Sequence, residues 1–169
     1  AVVHHDDELG RVFGKPGHIG ELEFLELRAT CPGIPRLAEV LLIQDLHFMI
    51  EIKTRLGAPE IQVLAEELGG KIPQKDYHLL AFEPSLVHEH EKLPARAWML
   101  VGELDLRSRL ELTLSKGYAG LAGHYLAMGP KIISRLHANG QKAGVGFTPD
   151  KNLLHREWAP RTARMLFIM

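Results

Sequence analysis

The stretch that decides the fold is Phe48-Met49-Ile50-Glu51-Ile52-Lys53, an apolar run with one carboxylate and one ammonium group. Phenylalanine and isoleucine favour a strand, in which alternate side chains share a face. Glu51 and Lys53 therefore project from one face, and Ile50 and Ile52 from the other. Two charges at the end of an otherwise buried strand are costly unless something uses them. Either Glu51 binds a metal ion and Lys53 an anionic substrate, or the two form a solvent-facing ion pair on an edge strand.

Strand-like and helix-like segments alternate after this stretch, with a repeat of roughly 20 to 30 residues that is typical of a parallel sheet. Helices are predicted at 59–68, 84–91, 104–116, 130–138 and 152–158. Further strands are predicted at 77–82, 95–101, 120–124, 142–148 and 165–169. Prolines open several of these helices and glycines close them, as in known helix termini.

A parallel sheet with helical connections is either doubly wound or a barrel. No G-x-G-x-x-G follows a strand, so nothing supports a dinucleotide-binding fold. Six strands are visible from the Glu51 strand onward. A closed (β/α)8 barrel takes about 250 residues, so this chain is short by roughly two βα units. If the sheet belongs to a barrel, the carboxyl ends of its strands are where chemistry is expected.

The segment before the Glu51 strand predicts smaller elements. Residues 1–5 are expected to form a short strand, followed by a loop that extends to residue 20 and contains four breakers, at Gly14, Pro16, Gly17 and Gly20. A helical turn is predicted at 21–27 and a helix at 36–43, where leucine and valine recur with helical spacing.

Composition limits the classes of function. The 169 residues suit a single domain, and 46% hydrophobic residues can form a sizeable core. A net charge of -1 gives no electrostatic argument for nucleic acid or an anionic membrane as a partner. Apolar runs are too short for a membrane span. The single cysteine, Cys31, excludes an intrachain disulfide and favours a reducing, cytoplasmic compartment, where we expect it to be a buried bystander.

One histidine cluster, His4-His5-Asp6-Asp7, follows the predicted first strand. A histidine can transfer protons near neutral pH, and a neighbouring carboxylate can fix its tautomer. Histidine and aspartate together also bind metals. The alternative is an ordinary polar loop after a strand. His124, at the end of a predicted strand, is a second candidate for the rim of a barrel site.

Two stretches taken together resemble the glycerophosphodiester phosphodiesterase family. Val2-Val3-His4-His5-Asp6-Asp7-Glu8-Leu9-Gly10-Arg11 is similar to the V-V-x-H-D-x-x-L-x-R signature, with His5 in the histidine position. Ile50-Glu51-Ile52-Lys53 is similar to the I-E-I-K strand of the family. Between them, Ile34-Pro35-Arg36-Leu37-Ala38-Glu39-Val40-Leu41 continues the match. The order and spacing of these motifs make the resemblance specific, and it extends from Val2 to about Val87.

The resemblance implies a TIM barrel that hydrolyses glycerophosphodiesters to glycerol 3-phosphate and an alcohol. His5 matches one of two histidines that act as general acid and base. Glu51 matches one of three carboxylates that hold a divalent cation, Mg²⁺ or Ca²⁺, and Lys53 matches a lysine near the phosphate. These roles agree with the preference of hard cations for carboxylate oxygens and with acid catalysis at a leaving alkoxide.

The chain also departs from the family pattern. The histidine-arginine-glycine strand and the E-x-D strand, which precede the V-V-x-H-D segment in the family, have no counterpart here. We therefore expect one partial barrel domain over residues 1–169, incomplete at its N-terminal side, that is poorly stable and nearly inactive alone. The alternative function is a non-catalytic barrel remnant with weak phosphate or metal binding. Open edges of the barrel sheet would favour self-association.

Overall fold

The computed structural model describes residues 1–87, 92–103 and 105–146, together with the backbone of residues 163–168. Six parallel strands form one sheet within these ranges. They are β1 His47–Ile52, β2 Tyr77–Ala81, β3 Trp98–Gly102, β4 Gly120–His124, β5 Lys142–Gly146 and β6 Ala163–Ile168. Each of these strands lies where a strand is predicted, so the strands predicted from the Glu51 strand onward are confirmed.

The sheet has the strand order β5-β4-β3-β2-β1-β6, so the first five strands are neighbours in the order of the chain. Every pairing is parallel, and Glu51 of β1 lies opposite Leu80 of β2. β6 pairs with the other edge of β1. The strands form a curled half-barrel, which confirms the predicted incomplete (β/α)8 barrel.

Six α-helices lie in the described ranges. They are α1 Gly10–Phe13, α2 Phe24–Thr30, α3 Leu37–Val40, α4 Ala58–Glu67, α5 Leu106–Lys116 and α6 Pro130–Ala138. Helices α4, α5 and α6 connect strands, as parallel pairing requires. Gly117 ends α5 with φ 64°, a left-handed conformation that glycine adopts without strain. A 3₁₀ turn at Pro84–Leu86 replaces the start of the helix predicted at 84–91, whose end lies outside the described residues, as does the helix predicted at 152–158.

The segment before β1 differs most from its prediction. The strand predicted at residues 1–5 is wrong, because Val2 makes only an isolated antiparallel bridge to Arg36. Residues predicted as loop form α1, which Gly14 ends with φ 64°. The helix predicted at 36–43 is reduced to α3, since the chain turns at Asp45, where φ is 58°, before it enters β1.

The sheet buries two faces that differ in composition. On one face, alternate residues such as Phe48, Ile50 and Leu79 pack against the helices and form the main core. The opposite face holds a smaller cluster. Its buried members are Leu80, Met99, Val101 and Ala119, bordered by Met49, Phe82 and Ala122. This second face is the inner face of the half-barrel, and the strand alternation places Glu51 on it.

The residues before β1 have a small core of their own, formed by Leu9, Ile19, Leu27, Cys31 and Ile34. Cys31 is fully buried and has no disulfide partner, which agrees with the predicted bystander. Among the described residues, no helix combines the length and the apolar character needed to cross a membrane.

Candidate functional site

A cavity of about 340 Å³ opens at the carboxyl ends of the strands, on the inner face of the half-barrel. His5, Glu51 and Lys53, the three predicted site residues, all line it. The remaining lining residues are apolar or lack a side chain: Met49, Leu80, Phe82, Met99, Val101, Ala122, Gly123, Gly144, Val145 and Gly146. Residues that lie far apart in the sequence are thus brought together at the end of the sheet where barrel chemistry is expected.

Glu51 and Lys53 form an ion pair inside this cavity. The Lys53 Nζ atom lies 2.6 Å from Glu51 Oε1. Glu51 is only 3% exposed, and its strand β1 lies between β2 and β6. The interpretation as a solvent-facing pair on an edge strand is therefore wrong. Removing the Glu51 carboxylate from water is offset by the lysine ammonium, whose side chain remains 25% exposed.

His5 enters the cavity from the loop before α1 and is held by its neighbour. Asp6 Oδ1 lies 2.5 Å from His5 Nδ1, and Asp6 Oδ2 accepts a hydrogen bond from Arg11 Nε. The bond from Arg11, followed by the bond from His5, holds the pKa of the Asp6 carboxyl far below its usual range. Asp6 is therefore an anion that can only accept hydrogen bonds, so the His5 Nδ1 atom carries the proton that joins them.

His4, the other histidine of the cluster, has a different environment. Its ring packs against Phe13 with 5.5 Å between the ring centroids, and its Nε2 atom is buried without a hydrogen-bond partner in the described structure. Burial lowers the pKa of His4. The structure thus separates two adjacent histidines, with His4 packed against an aromatic ring and His5 at the cavity.

Two further polar pairs lie outside the cavity lining. His18 Nδ1 lies 2.8 Å from Asp7 Oδ2, and this hydrogen bond raises the pKa of His18. His124 ends β4 as predicted, but its Nδ1 accepts the backbone N–H of Leu126 at 3.2 Å. His124 is also absent from the residues that line the cavity, so it is not brought together with His5 and Glu51.

The described residues do not provide a complete metal site. No group of three or more histidine, cysteine, aspartate or glutamate side chains in the described part of the chain is arranged to hold an ion. Among the residues that line the cavity, Glu51 is the one carboxylate, and its Oε1 atom contacts Lys53. Mg²⁺ and Ca²⁺ require about six or more oxygen ligands, so the residues present do not fit either ion by themselves.

Several features of the site were not predicted from the sequence. The apolar wall formed by Leu80, Met99 and Val101 and the hydrogen bond from Arg11 are examples. The sequence does indicate this wall, because large apolar residues alternate along consecutive strands. The structure also explains why small residues face each other on β4 and β5: a Cβ atom at Gly144 would lie 2.8 Å from the Cβ atom of Ala122 on β4. The Arg11 contact depends on α1, which the glycine-rich sequence did not indicate.

Comparison with known proteins supports the fold. No protein-family model matches the chain, and no curated protein sequence matches it. Among solved structures, a glycerophosphodiester phosphodiesterase from Thermotoga maritima superposes with a TM-score of 0.67 at 22% identity, covering 91% of this chain. A protein assigned to the glycerophosphoryl diester phosphodiesterases, from Agrobacterium tumefaciens, superposes with a TM-score of 0.64 at 16% identity, covering 85% of this chain.

This chain spans 70% and 66% of the lengths of those two proteins, respectively. The partial coverage agrees with the six strands of an eight-stranded barrel. Both structures also carry the family name that the resemblance of the His5 and Glu51 motifs predicts. The chain therefore has part of the barrel fold of the glycerophosphodiester phosphodiesterases.

Proposed function

We propose that this chain belongs to a phosphodiesterase that hydrolyses glycerophosphodiesters to glycerol 3-phosphate and an alcohol. One observation carries the proposal: His5, Glu51 and Lys53, from two separate stretches of sequence, line a single cavity at the carboxyl ends of parallel strands. The barrel fold shared with two phosphodiesterases supports the reaction class by analogy.

Each of the three residues has a role that its chemistry supports. The Lys53 ammonium reduces the negative charge of a bound phosphodiester, so that a water oxygen can approach the phosphorus. His5, in its protonated form, donates a proton to the leaving alkoxide oxygen as the P–O bond breaks, and the proton released by the attacking water passes to solvent, from which His5 is protonated again. Glu51 holds Lys53 toward the inner face through the ion pair. The apolar walls around them lower the local dielectric constant and so strengthen these electrostatic interactions.

Binding of a divalent cation would require ligands in addition to Glu51. Glu51 is the one carboxylate among the described residues that line the cavity, so we expect this chain alone to bind Mg²⁺ or Ca²⁺ weakly. A cytoplasmic location, which the single unpaired cysteine favours, is part of the same proposal.

The second candidate is a non-catalytic barrel remnant that binds phosphate weakly. The lack of a three-ligand metal group among the described residues favours it. Lys53 would still attract an anion, since its ammonium group lies at the cavity. The two candidates share the cavity and differ in whether a bond is broken.

Hydrolysis and binding assays separate the two candidates. We would incubate the 169-residue chain with glycerophosphocholine, with and without Mg²⁺ or Ca²⁺, and measure released glycerol 3-phosphate and choline. Because the partial barrel is expected to be nearly inactive alone, the phosphodiesterase proposal predicts slow release from this chain, which His5→Ala abolishes. In a version that carries the two barrel strands absent here, His5→Ala should reduce release by about 100-fold or more, with the circular dichroism spectrum unchanged. The matched control is His137→Ala, which changes a residue of α6 that does not line the cavity.

Binding without hydrolysis would support the remnant instead. Titration with inorganic phosphate, followed by NMR, should then show shifts at the cavity that the double variant Glu51→Gln/Lys53→Met abolishes. If the chain neither hydrolyses the diester nor binds phosphate at the cavity, both candidates are wrong.

We also propose that the chain self-associates through an edge of its sheet. Strand β5 lies at one end of the described sheet, and its Val145 side chain is 54% exposed. An edge strand with few charged side chains is prone to pair with a second copy. Sedimentation velocity over a concentration series should show dimers, and Val145→Lys should shift the equilibrium toward monomers. A monomer at every concentration would contradict this part of the proposal.

A further inference from the structure

We infer that Arg11 is a positioning residue that acts on His5 through Asp6. The inference rests on the proposed function for the role of His5, but the contacts themselves do not depend on it. Arg11 is one of four residues in α1, and its side chain is 66% exposed. Its exposure resembles that of other surface arginines, and its contact with Asp6 distinguishes it from them.

The two oxygens of Asp6 have different partners. Oδ1 accepts the hydrogen bond from His5 Nδ1 at 2.5 Å, and Oδ2 accepts the hydrogen bond from Arg11 Nε. A carboxylate held at one oxygen can still rotate about its Cβ–Cγ bond. Held at both oxygens, it presents Oδ1 to His5 in a fixed direction. Arg11 thereby limits the orientations of the imidazole ring.

Burial and backbone hydrogen bonds hold helix α1, and therefore the backbone of Arg11, in place. Leu9, which immediately precedes the helix, is fully buried. Its N–H donates to the carbonyl oxygen of Gly17 at 3.1 Å, and its own carbonyl oxygen accepts the N–H of Phe13 at 3.0 Å. Arg11 therefore extends from a backbone that is fixed on both sides, although its guanidinium group lies at the surface.

The constraint has a consequence for proton transfer. Since Asp6 can only accept, the neutral His5 ring must carry its proton on Nδ1, and Nε2 is then the basic nitrogen. Protonation and deprotonation during a reaction therefore occur at Nε2. Without Arg11, the Asp6 carboxylate can turn away, and the ring can adopt the other tautomer with the proton on Nε2. Arg11 thus selects which nitrogen of His5 is available for chemistry.

A purely structural role for Arg11 makes a different prediction. Exposed ion pairs contribute little to stability, so a structural pair at this position would leave no mark on His5 when it is removed. The chain offers a matched pair for comparison. Arg135 contacts Glu111 at 2.5 Å, and both side chains are about half exposed. Neither residue lines the cavity.

Imidazole ¹⁵N NMR tests the inference without substrate, because the ¹⁵N shifts of Nδ1 and Nε2 report which atom carries the proton. The 169-residue chain would be compared with Arg11→Gln, Arg11→Lys and Asp6→Asn, and with Arg135→Gln as the control, at a pH at which His5 is neutral. We expect the Nδ1–H tautomer of His5 to dominate in the parent chain and in Arg135→Gln. Arg11→Gln should lower its fraction at least twofold, and Arg11→Lys should restore most of it.

The inference is overturned if Arg11→Gln leaves the tautomer of His5 unchanged while Asp6→Asn alters it, because Asp6 would then act without Arg11.

Failure of the positioning role is distinguishable from failure of the proposed function. If Arg11→Gln shifts the tautomer but no variant affects diester hydrolysis, the positioning role stands and the reaction is wrong. If His5→Ala abolishes hydrolysis and Arg11→Gln changes neither rate nor tautomer, the reaction stands and the positioning role is wrong. Where hydrolysis is measurable, Arg11→Gln should lower kcat about tenfold with little change in KM.

Discussion

The two ends of the inner sheet face bury polar groups in opposite ways. At the carboxyl end, Glu51 and Lys53 form an ion pair with 2.6 Å between nitrogen and oxygen. At the amino end, His47 Nε2 lies 2.6 Å from His78 Nδ1. His78 is 2% exposed, and desolvation, followed by the charge of His47, lowers its pKa to about 4. One end therefore holds an ion pair, and the other holds a histidine pair in which burial favours the neutral form of His78.

The hydrogen bonds at the amino end fix the protons of both rings. His47 Nδ1 lies 2.8 Å from the carbonyl oxygen of Lys75, so it must donate. The Nε2 atom of His47 then accepts the proton of His78 Nδ1, which leaves His78 Nε2 as a buried acceptor without a partner in the described structure. Burial of a histidine pair thus produces a pH-sensitive structural contact, whereas burial of a charged pair beside His5 produces a candidate site. Position on the strand distinguishes the two.

The largest expected effect is on stability at the carboxyl end. Lys53→Met leaves the Glu51 carboxylate buried without its partner, and we expect the free energy of unfolding at pH 7.5 to fall by about 3 kcal/mol. Urea unfolding would measure it. The double variant Glu51→Gln/Lys53→Met should recover most of the loss, because it removes the uncompensated charge. If the single variant is as stable as the parent chain, the pair is effectively solvated and the cavity is more open than the structure indicates.

The second prediction concerns pH at the amino end. The His78 pKa is about 4 in the folded chain, below the value of 6.5 for an unperturbed histidine, so the unfolded chain binds more protons between these pH values. The stability from this group is complete above about pH 6.5 and falls as pH falls. By pH 5, the contribution of His78 to the free energy of unfolding has fallen by about 2 kcal/mol.

Comparison with a variant isolates this contribution. The difference in unfolding free energy between pH 7.5 and pH 5 should be about 2 kcal/mol smaller in His78→Gln than in the parent chain. His137→Gln, which changes a histidine of α6, is the control and should follow the parent. Equal pH dependence in His78→Gln and the parent would mean that His78 is hydrated and titrates normally.

The sequence predicts the carboxyl end better than the amino end. The alternation in β1 places Glu51 on the inner face, and the family resemblance identifies His5, which lies 46 positions earlier in the chain, as its partner at the site. No comparable signal indicates the His47–His78 pair, because their contact depends on the register between β1 and β2, in which Met49 lies opposite His78. Alternation shows which face a side chain occupies, but pairing register decides which side chain it meets.

The segment before β1 shows the same limit. Val2 and Val3 have strand-forming side chains, yet no neighbouring strand is available to them in the described structure, so an isolated bridge to Arg36 results. Helix α1 forms although it begins with Gly10 and is followed by Gly14, because buried Leu9 and the left-handed Gly14 fix its two ends. Tertiary contacts decide such short elements, and these contacts also create the bond from Arg11 to Asp6.

The smallest expected effect compares the histidine pair with the Glu51–Lys53 ion pair directly. His47→Phe keeps an aromatic ring beside His78 but removes the acceptor for its Nδ1 proton. We expect the free energy of unfolding at pH 7.5 to fall by about 1 kcal/mol, measured by urea unfolding. The effect is small because a neutral hydrogen bond contributes little net stability and because water can reach this partly exposed position. His137→Phe is the control for adding a ring. A loss as large as that of Lys53→Met would mean that water cannot replace His47, and that the amino end is closed more tightly than the carboxyl end, where the candidate site opens.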